Sequence, residues 1–201
     1  MNKRAVKIER ETKETTIRGA LSLDGERKIS VATGIGFLDH LLTTLAFHAG
    51  WDFELECSGD IEIDDHHTAE DCALALGDAV GRALGDRAGI SRFGWAYAPL
   101  DEALARTVVD LSGRPWPEVE LGLEREILGA LATENIQHFF VSLAMSLKAA
   151  IHVDVLRGDN DHHRAEAAFK ALALALKEAT AAVGKEGVPS TKGTLEGDDG
   201  I

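Results

Sequence analysis

The sequence predicts an α+β fold made of two similar fused halves, each a mainly antiparallel β-sheet with two helices on one face. Three observations predict it. A rare His-His-x-x-Glu cluster begins at His66 and recurs 96 residues later at His162. Stretches of alternating polar and apolar residues, typical of strands, precede each copy. Apolar residues at helical spacing follow each copy, and strands followed by helices favour a sheet that is covered on one face.

The first half is predicted over residues 1–87. Its elements are, in order, strands at Lys7–Arg10, Thr15–Leu23 and Lys28–Thr33, a helix at Phe37–His48, a strand at 53–57 and a helix at 66–84. The strands are predicted from alternation, and Asp24-Gly25 favours a hairpin turn between the second and third of them. The last helix is predicted from the apolar run that follows the cluster.

The second half is predicted over residues 88–184, after a polar, glycine-bracketed join at Gly85–Gly89. Its elements are strands at Arg92–Ala98, Ala103–Leu111 and Val119–Leu121, a helix at Glu134–Leu147, a strand at Ala150–Leu156 and a helix at 162–183. Gly158-Asp159 repeats the turn at Gly59-Asp60, as two similar halves require. Residues 185–201 are polar and glycine-rich, which predicts a loop followed by a flexible tail.

The repeated cluster indicates a metal site, because imidazole and carboxylate are ligands of divalent transition ions. The two copies are Asp65-His66-His67-Thr68-Ala69-Glu70 and Asp161-His162-His163-Arg164-Ala165-Glu166. Each half adds a further histidine, His40 or His138, and these two are 98 residues apart. Chance clustering or helix capping could explain one such cluster, but two in register with a third histidine each favour metal ligands.

Helical geometry predicts how these ligands divide. The first histidine and the glutamate are four residues apart and share a helix face, and the second histidine, three residues from the glutamate, also meets it. Adjacent residues diverge by about 100° around a helix, so the two imidazoles of one pair are expected to serve different ions. The ligands suffice for two ions with open positions for substrate or water. Mn²⁺ is expected, with Fe²⁺, Co²⁺ or Zn²⁺ as alternatives.

Composition excludes several classes of function. A formal net charge of −13 over 201 residues argues against non-specific binding of nucleic acid, and no polybasic stretch favours a membrane surface. No apolar run is long enough to span a bilayer. The only cysteines, Cys57 and Cys72, form no spaced framework, and the N-terminus lacks an apolar signal segment. A reducing cytoplasm is therefore the expected location.

Six stretches carry a family resemblance, namely Gly36–Leu42, Asp64–Asp71, Leu111–Pro115, Gln137–Phe140, His162–Lys170 and Ser190–Gly193. Through them the chain resembles the imidazoleglycerol-phosphate dehydratases of histidine biosynthesis over essentially its whole length. The resemblance implies a fold like domain 2 of ribosomal protein S5 in each half. It also implies a cubic homo-oligomer of about 24 subunits, with two Mn²⁺ per active site at subunit contacts.

The resemblance further implies which residues hold each ion. One ion would be held by His66, His138, His162 and Glu166, and the other by His40, His67, Glu70 and His163. It implies that the ligands of one ion come from different chains, so that oligomerisation completes the site.

The reaction implied is the dehydration of D-erythro-imidazole glycerol phosphate to imidazole acetol phosphate, a hydro-lyase step. A metal-bound imidazolate would expel the neighbouring hydroxyl and leave a diazafulvene-like species, whose adjacent proton can then be removed. The resulting enol tautomerises to the ketone. Glu14 resembles the acid/base carboxylate of the family, and Glu166 is expected to assist while bound to metal. Without the resemblance, Glu14 is equally well explained as a solvated charge at a strand end.

The substrate's phosphate requires cationic donors, which an acidic protein must provide at particular positions. The family pattern indicates Arg92, Arg114, Lys170, Ser190 and Lys192, with His48 as a further donor. Ser190 and Lys192 lie in a glycine-flanked polar loop whose backbone N–H groups can also face an anion. Thr44 departs from the family pattern, in which a longer polar side chain is common.

Two other functions use the same eight ligands. A metal-storage or metal-sensing oligomer would bind the ions without turnover, and a di-metal hydrolase would use a bridging water on an ester or amide. The phosphate-type residues Arg114, Ser190 and Lys192 favour the dehydratase, because storage does not require them. No Asp-x-Asp phosphatase motif precedes the first predicted strand, so a single activity is expected.

Overall fold

A computed structural model of the protein describes residues 4–184, 187, 189 and 190. The first half contains β1 (Ala5–Glu11), β2 (Thr15–Ser22), β3 (Ile29–Ala32), α1 (Gly36–Ala49), β4 (Asp52–Gly59) and α2 (His66–Leu84). The second half contains β5 (Phe93–Leu100), β6 (Ala103–Asp110), β7 (Trp116–Glu120), the short strands β8 (Ile127–Leu128) and β9 (Leu131–Ala132), α3 (Thr133–Leu147), β10 (Ala150–Arg157) and α4 (Asp161–Ala179).

The two halves share one sheet topology. The strand order is β1-β2-β4-β3 in the first sheet and β5-β6-β10-β7 in the second. Each sheet has two antiparallel pairs and one parallel pair, which is β3 with β4 or β7 with β10. The predicted fold class of two similar, mainly antiparallel sheet-and-helix halves is therefore confirmed.

The four long helices lie between the two sheets. α1 and α2 pack on the first sheet, and α3 and α4 pack on the second. The halves meet through the helices, since α1 packs against α4 and α2 against α3. The buried apolar side chains form one continuous cluster, in which Phe139 and Phe140 of α3 contact Phe169 of α4 at ring-centroid distances of 5.3 and 4.8 Å. These rings hold α3 beside α4 within the second half. The α1–α4 and α2–α3 contacts hold helices of different halves side by side, which positions the site described below.

The predicted hairpin at Asp24-Gly25 is wrong. β2 and β3 are not neighbours, because β4 lies between them and pairs in parallel with β3. The loop instead crosses the start of β4, where the Asp52 carboxylate accepts the backbone N–H groups of Glu26 and Lys28 at 2.7 and 2.9 Å. A Cβ on Gly25 would lie 2.0 Å from the Asp52 nitrogen, so the glycine serves this close crossing.

The last helix is shorter than predicted. It ends at Ala179 rather than at residue 183, because the following residues pair with the segment before β5. The backbone N–H of Ser91 donates to Ala181 O at 2.9 Å, and that of Val183 donates to Gly89 O at 2.8 Å. The β8–β9 hairpin was not predicted, since two-residue strands carry no alternation. In the part of the chain that the structure describes, none of the helices has the length and hydropathy needed to cross a bilayer.

Candidate active site

The first cluster of candidate ligands joins α2 to α3. His66 and Glu70 lie one turn apart on α2, and His138 reaches them from α3. The Nε2 atom of His138 is 3.0 Å from Glu70 Oε1, and the rings of His66 and His138 stack at a centroid distance of 4.8 Å. All three candidate ligand atoms lie within 4.8 Å of one another, so a single ion could contact them together.

The second cluster joins α1 to α4. His40 Nε2 lies 2.9 Å from Glu166 Oε2, and His162 Nε2 lies 3.2 Å from the same oxygen. The contact between His162 and Glu166 confirms the prediction that the first histidine and the glutamate share a helix face. As in the first cluster, the candidate ligand atoms lie within 4.8 Å of one another.

The leading aspartate of each copy of the motif fixes the start of its helix. Asp65 Oδ2 accepts the backbone N–H of Ala132 at 2.6 Å, next to the first residue of α3. The buried Asp161 accepts those of Glu124 and Arg125 at 2.9 and 2.7 Å. Both motifs are thereby tied to the segment between β7 and α3, which orients the helix ends that carry the histidines.

Each cluster takes ligands from both halves of the chain, but the clusters are not the two ligand sets that the family resemblance implies. Each implied set combines members of both clusters, and the second set also includes two residues outside them. Within the described part of the chain, His67 and His163 belong to neither cluster. Neighbouring histidines therefore diverge, as helical geometry predicts, while the assignment of ligands to two ions stays a prediction.

The second histidine of each motif is bound by a carboxylate. Asp60 Oδ2 lies 3.0 Å from His67 Nδ1, and Glu102 Oε2 lies 2.8 Å from His163 Nδ1. The hydrogen bond to Asp60 raises the pKa of His67, and the hydrogen bond to Glu102 raises that of His163. The His163 contact and backbone N–H donors in turn lower the pKa of Glu102 to about 2. Glu102 thus accepts from the imidazole of His163 as a charged group.

Glu14 lies in the turn between β1 and β2, on the same side as His67. Its Oε1 is 3.7 Å from His67 Nε2, which is longer than a hydrogen bond. A small movement of either side chain would bring the two atoms to hydrogen-bonding distance. The side chain is 51% exposed, so a substrate can reach it. This position beside a candidate ligand is what an acid/base group needs.

Asp71 holds this turn against α2. Its Oδ1 accepts Arg10 Nε and Nη2 at 2.9 and 2.6 Å, and its Oδ2 accepts the Thr15 hydroxyl. The Asp71 side chain is only 6% exposed. The carboxylate therefore connects the helix of His67 and Glu70 to the turn of Glu14.

Replacing Asp71 by Ala should lower the free energy of unfolding by about 2–4 kcal/mol, because the Arg10 guanidinium and the Thr15 hydroxyl lose a buried partner. Urea denaturation measures the change. Asp78→Ala on the same helix is the matched control, since Asp78 and its partner Arg82 are 57% and 47% exposed and such pairs contribute under about 1 kcal/mol. Equal losses in the two variants would contradict a buried anchoring role for Asp71.

Two predicted phosphate donors, Lys170 and His48, follow the second cluster along α4 and α1. Lys170 Nζ lies 2.7 Å from Glu166 Oε1, one turn from the histidine contacts. Burial, the largest influence on Glu166, favours its neutral form, but the hydrogen bonds from Lys170 and His40 outweigh it and lower the pKa of Glu166 to about 2. Burial lowers the pKa of His48, and the charge of Lys170 lowers it further. Lys170 therefore contacts the metal-ligand cluster through Glu166, and the role of Lys170 and His48 as phosphate donors stays a prediction.

The other predicted phosphate donors occupy different surroundings. Arg92 binds both oxygens of Asp110 at 2.7 and 3.1 Å and donates to Pro189 O at 2.8 Å, so it ties the C-terminal segment, including the neighbouring Ser190, to the second sheet. Arg114 is exposed in the connection before β7. Lys192 lies outside the described residues. The phosphate role of all four residues stays a prediction.

The two clusters suit a divalent ion. Each presents two imidazoles and one carboxylate and no thiolate, which fits Mn²⁺ and its neighbours better than a soft ion. Three protein ligands also leave positions for further ligands or substrate. The donor chemistry thus fits the metal that the family resemblance implies.

Sequence reasoning missed the residues that support the ligands. Asp60, Asp71, Glu102 and Asn135 were not candidates, although Asn135 Oδ1 is 2.8 Å from His66 Nδ1. Asp71 directly follows the first motif and Asn135 precedes His138 by three residues, so proximity to the motifs was an available signal. No local pattern distinguished Glu102 from the other carboxylates of an acidic chain.

Comparisons with known proteins agree with this geometry. A sequence model of the imidazoleglycerol-phosphate dehydratase family matches residues 33–176. A protein of that name from Phytophthora nicotianae is 59% identical over 96% of the chain, which spans 42% of that relative's length. One from Candida glabrata is 54% identical, covering 94% of the chain and 98% of the relative. A crystal structure of IGPD from Pyrococcus furiosus in complex with (S)-C348 matches with a TM-score of 0.80 at 36% identity, covering 93% of this chain and 99% of that one.

Proposed function

The chain belongs to the imidazoleglycerol-phosphate dehydratase family, and from this premise we propose that it dehydrates D-erythro-imidazole glycerol phosphate to imidazole acetol phosphate with the help of Mn²⁺. Membership makes it a hydro-lyase of histidine biosynthesis. The observation that carries the metal-dependent part of the proposal is the pair of His-His-Glu clusters, each with its candidate ligand atoms within 4.8 Å of one another.

Two ions per site are proposed, with the ligand sets that the family resemblance implies. His66, His138, His162 and Glu166 would hold one, and His40, His67, Glu70 and His163 the other. The helix pairs α2–α3 and α1–α4 each bring together members of both sets within one chain. Ligands shared between chains would let each cluster contribute to both ions, so that assembly completes the site.

An exposed apolar surface supports such an assembly. On the outer face of the second sheet, Phe93, Trp95, Tyr97 and Trp116 are 49–62% exposed. The outer face of the first sheet is charged instead, with Lys7, Glu9, Arg18 and Glu56 exposed. Exposed aromatic patches mark association surfaces, so we propose that the chain acts as a homo-oligomer, for which the family resemblance suggests about 24 subunits.

The reaction removes a hydroxyl next to the imidazole and a proton from the neighbouring carbon. When bound, the ions would acidify the ring N–H of the substrate and so favour the electron-rich ring that expels the hydroxyl. A diazafulvene-like species follows that loss in the proposed sequence. Glu14 would then take the carbon-bound proton, because it is exposed and 3.7 Å from His67 Nε2. Glu166, ionised through Lys170 and His40, would keep its charge at the ligand cluster.

The predicted phosphate donors Lys170 on α4 and His48 on α1 suggest where the phosphate lies. His48 is two turns from His40 on α1, about 12 Å along the helix axis. Lys170 is one turn from Glu166 on the facing helix, and its charge lowers the pKa of His48. A substrate with its imidazole at the ligand cluster could extend its phosphate toward Lys170 and His48. A storage protein would not need Lys170 and His48 as phosphate donors, which favours the dehydratase over that alternative.

The experiment that tests the proposal is metal removal and replacement. The protein is stripped with a chelator, its activity on imidazole glycerol phosphate is measured, and Mn²⁺ is then titrated back. We expect activity to be lost on stripping and to return in proportion to bound Mn²⁺, reaching its maximum at two ions per chain. A protein that is fully metallated and inactive would instead support storage or sensing, and activity on simple esters would support the hydrolase.

A further inference from the structure

Two carboxylates outside the proposed ligand sets bind the same atom of equivalent histidines. On the basis of the proposed function, we propose that Asp60 and Glu102 are positioning residues. Each accepts a hydrogen bond from Nδ1–H of its histidine, His67 or His163, and so leaves the Nε2 lone pair free for a metal ion. A neutral imidazole has one donor and one acceptor nitrogen, and the partner of one nitrogen decides the state of the other. Such partners orient ligating histidines and raise their basicity.

Asp60 is held at the end of β4 by its backbone. Its N–H donates to Glu14 O at 3.1 Å, and both of its carboxylate oxygens lie within 3.2 Å of His67 Nδ1. The preceding Gly59 allows this approach, because a Cβ there would lie 2.1 Å from the hydroxyl oxygen of Thr68, the residue after His67. The Asp60 side chain is 16% exposed, so the carboxylate has little room to turn away from the ring.

Glu102 is held by its carboxylate rather than by its backbone. Its Oε1 accepts the backbone N–H groups of Asp159 and Asn160 at 3.1 and 2.9 Å, and its Oε2 faces His163 Nδ1 at 2.8 Å. One oxygen is therefore fixed by the loop before α4 and the other is aimed at the ring. The carboxylate is oriented before any metal arrives, which is what a positioning residue requires.

The two contacts do not follow from the repeat of the chain. The repeat counterpart of Asp60 is Asp159. The backbone N–H of Asp159 donates to Glu102, and the carboxylate that faces His163 is that of Glu102. Glu102 comes from the turn between β5 and β6, whereas Asp60 comes from the connection between β4 and α2. Different segments thus supply the same group to the same ring atom. This recurrence points to the chemistry of the imidazole rather than to the packing of one loop.

Glu102→Gln separates the two functions of the side chain. The amide oxygen can still accept the backbone N–H groups of Asp159 and Asn160, which keeps the loop in place. The amide NH₂ then faces His163 Nδ1, and a donor there favours the tautomer with the proton on Nε2, which has no lone pair on Nε2 for a metal ion. The control is Glu124→Gln, which removes a charge from the same cavity but at a side chain that is 83% exposed beside Arg164.

Mn²⁺ binding to the stripped, assembled protein is measured by calorimetry. We expect Glu102→Gln to lower the affinity for one of the two Mn²⁺ ions about 10–100-fold. The affinity for the other ion and the melting temperature should be unchanged. Glu124→Gln should bind both ions as the wild type does. Asp60→Ala should lower the affinity for the same ion as Glu102→Gln does, because His67 and His163 belong to one proposed ligand set. Nitrogen-15 spectra of histidine-labelled, metal-free Glu102→Gln, recorded where imidazoles are neutral, should show one additional Nε2–H tautomer.

The failures of the two proposals are distinguishable. If the wild type neither binds Mn²⁺ nor dehydrates the substrate, the proposed function is wrong and this inference falls with it. If the wild type binds two ions and Glu102→Gln binds both with unchanged affinity, the positioning role alone is overturned. An equal loss of affinity for both ions in Glu102→Gln, or a lowered melting temperature, would show that Glu102 only supports the loop. Either result would also overturn the proposal.

Discussion

Replacing Glu166 by Gln should lower kcat/KM by at least about 10³-fold, which corresponds to about 4 kcal/mol of transition-state stabilisation. Its carboxylate contacts His40 and His162 through one oxygen and Lys170 through the other. Glutamine keeps the volume of the side chain but loses the charge that attracts a divalent ion. The change therefore removes one proposed metal ligand and leaves the Lys170 ammonium without its carboxylate.

The measurement combines steady-state kinetics with metal analysis of the purified variant. We expect the loss of activity to accompany the loss of one ion per chain, with the particle size unchanged. Glu118→Gln is the matched control, because Glu118 is an exposed carboxylate on β7 and should retain both ions and full activity. A Glu166→Gln variant that keeps both ions and full activity would remove Glu166 from the site.

Glu14→Gln should lower kcat by about 10²–10⁴-fold while metal content and assembly stay intact. The amide matches the carboxylate in size but cannot take up a proton. Because the Glu14 side chain is exposed and its nearest candidate ligand atom is 3.7 Å away, few contacts are lost with the charge. An effect on turnover without an effect on metal distinguishes this residue from Glu166.

The control for Glu14 is Glu11→Gln, three residues earlier and also exposed. It should show wild-type kinetics. The pH dependence of kcat adds a second readout, since the limb that reports the catalytic base should disappear in Glu14→Gln and persist in Glu11→Gln. If Glu14→Gln loses metal or dissociates into smaller species, Glu14 is structural and another group must act as the base.

Most secondary-structure elements could be predicted, because the patterns that predict them are local. Alternation identified the long strands, and helical spacing identified all four helices. The errors occurred where tertiary contacts override a local signal. Asp24-Gly25 favours a tight turn, but β4 inserts between β2 and β3 and the loop passes over Asp52 instead. Residues 181–183 have helical composition, yet they pair with the segment before β5.

The residues of the candidate site likewise divide into those that local patterns predict and those that only tertiary contacts reveal. The motif repeat identified the histidines and glutamates because their spacing is a property of one helix. The supporting groups were missed, since Asp60, Asp71 and Glu102 are ordinary members of a chain with 34 acidic residues. Glu102 and His163 are separated by 61 residues, and no spacing rule connects them.

The sequence by itself determined the type of chemistry, through the kinds of ligand and their positions on helix faces. Both are local properties, because they depend on residues a few positions apart. Only the tertiary structure decided which helices share a cluster. His40 meets Glu166 across 126 residues, and His138 meets Glu70 across 68, because α1 packs on α4 and α2 packs on α3. That pairing comes from the burial of one apolar core between two sheets, which depends on the whole chain at once.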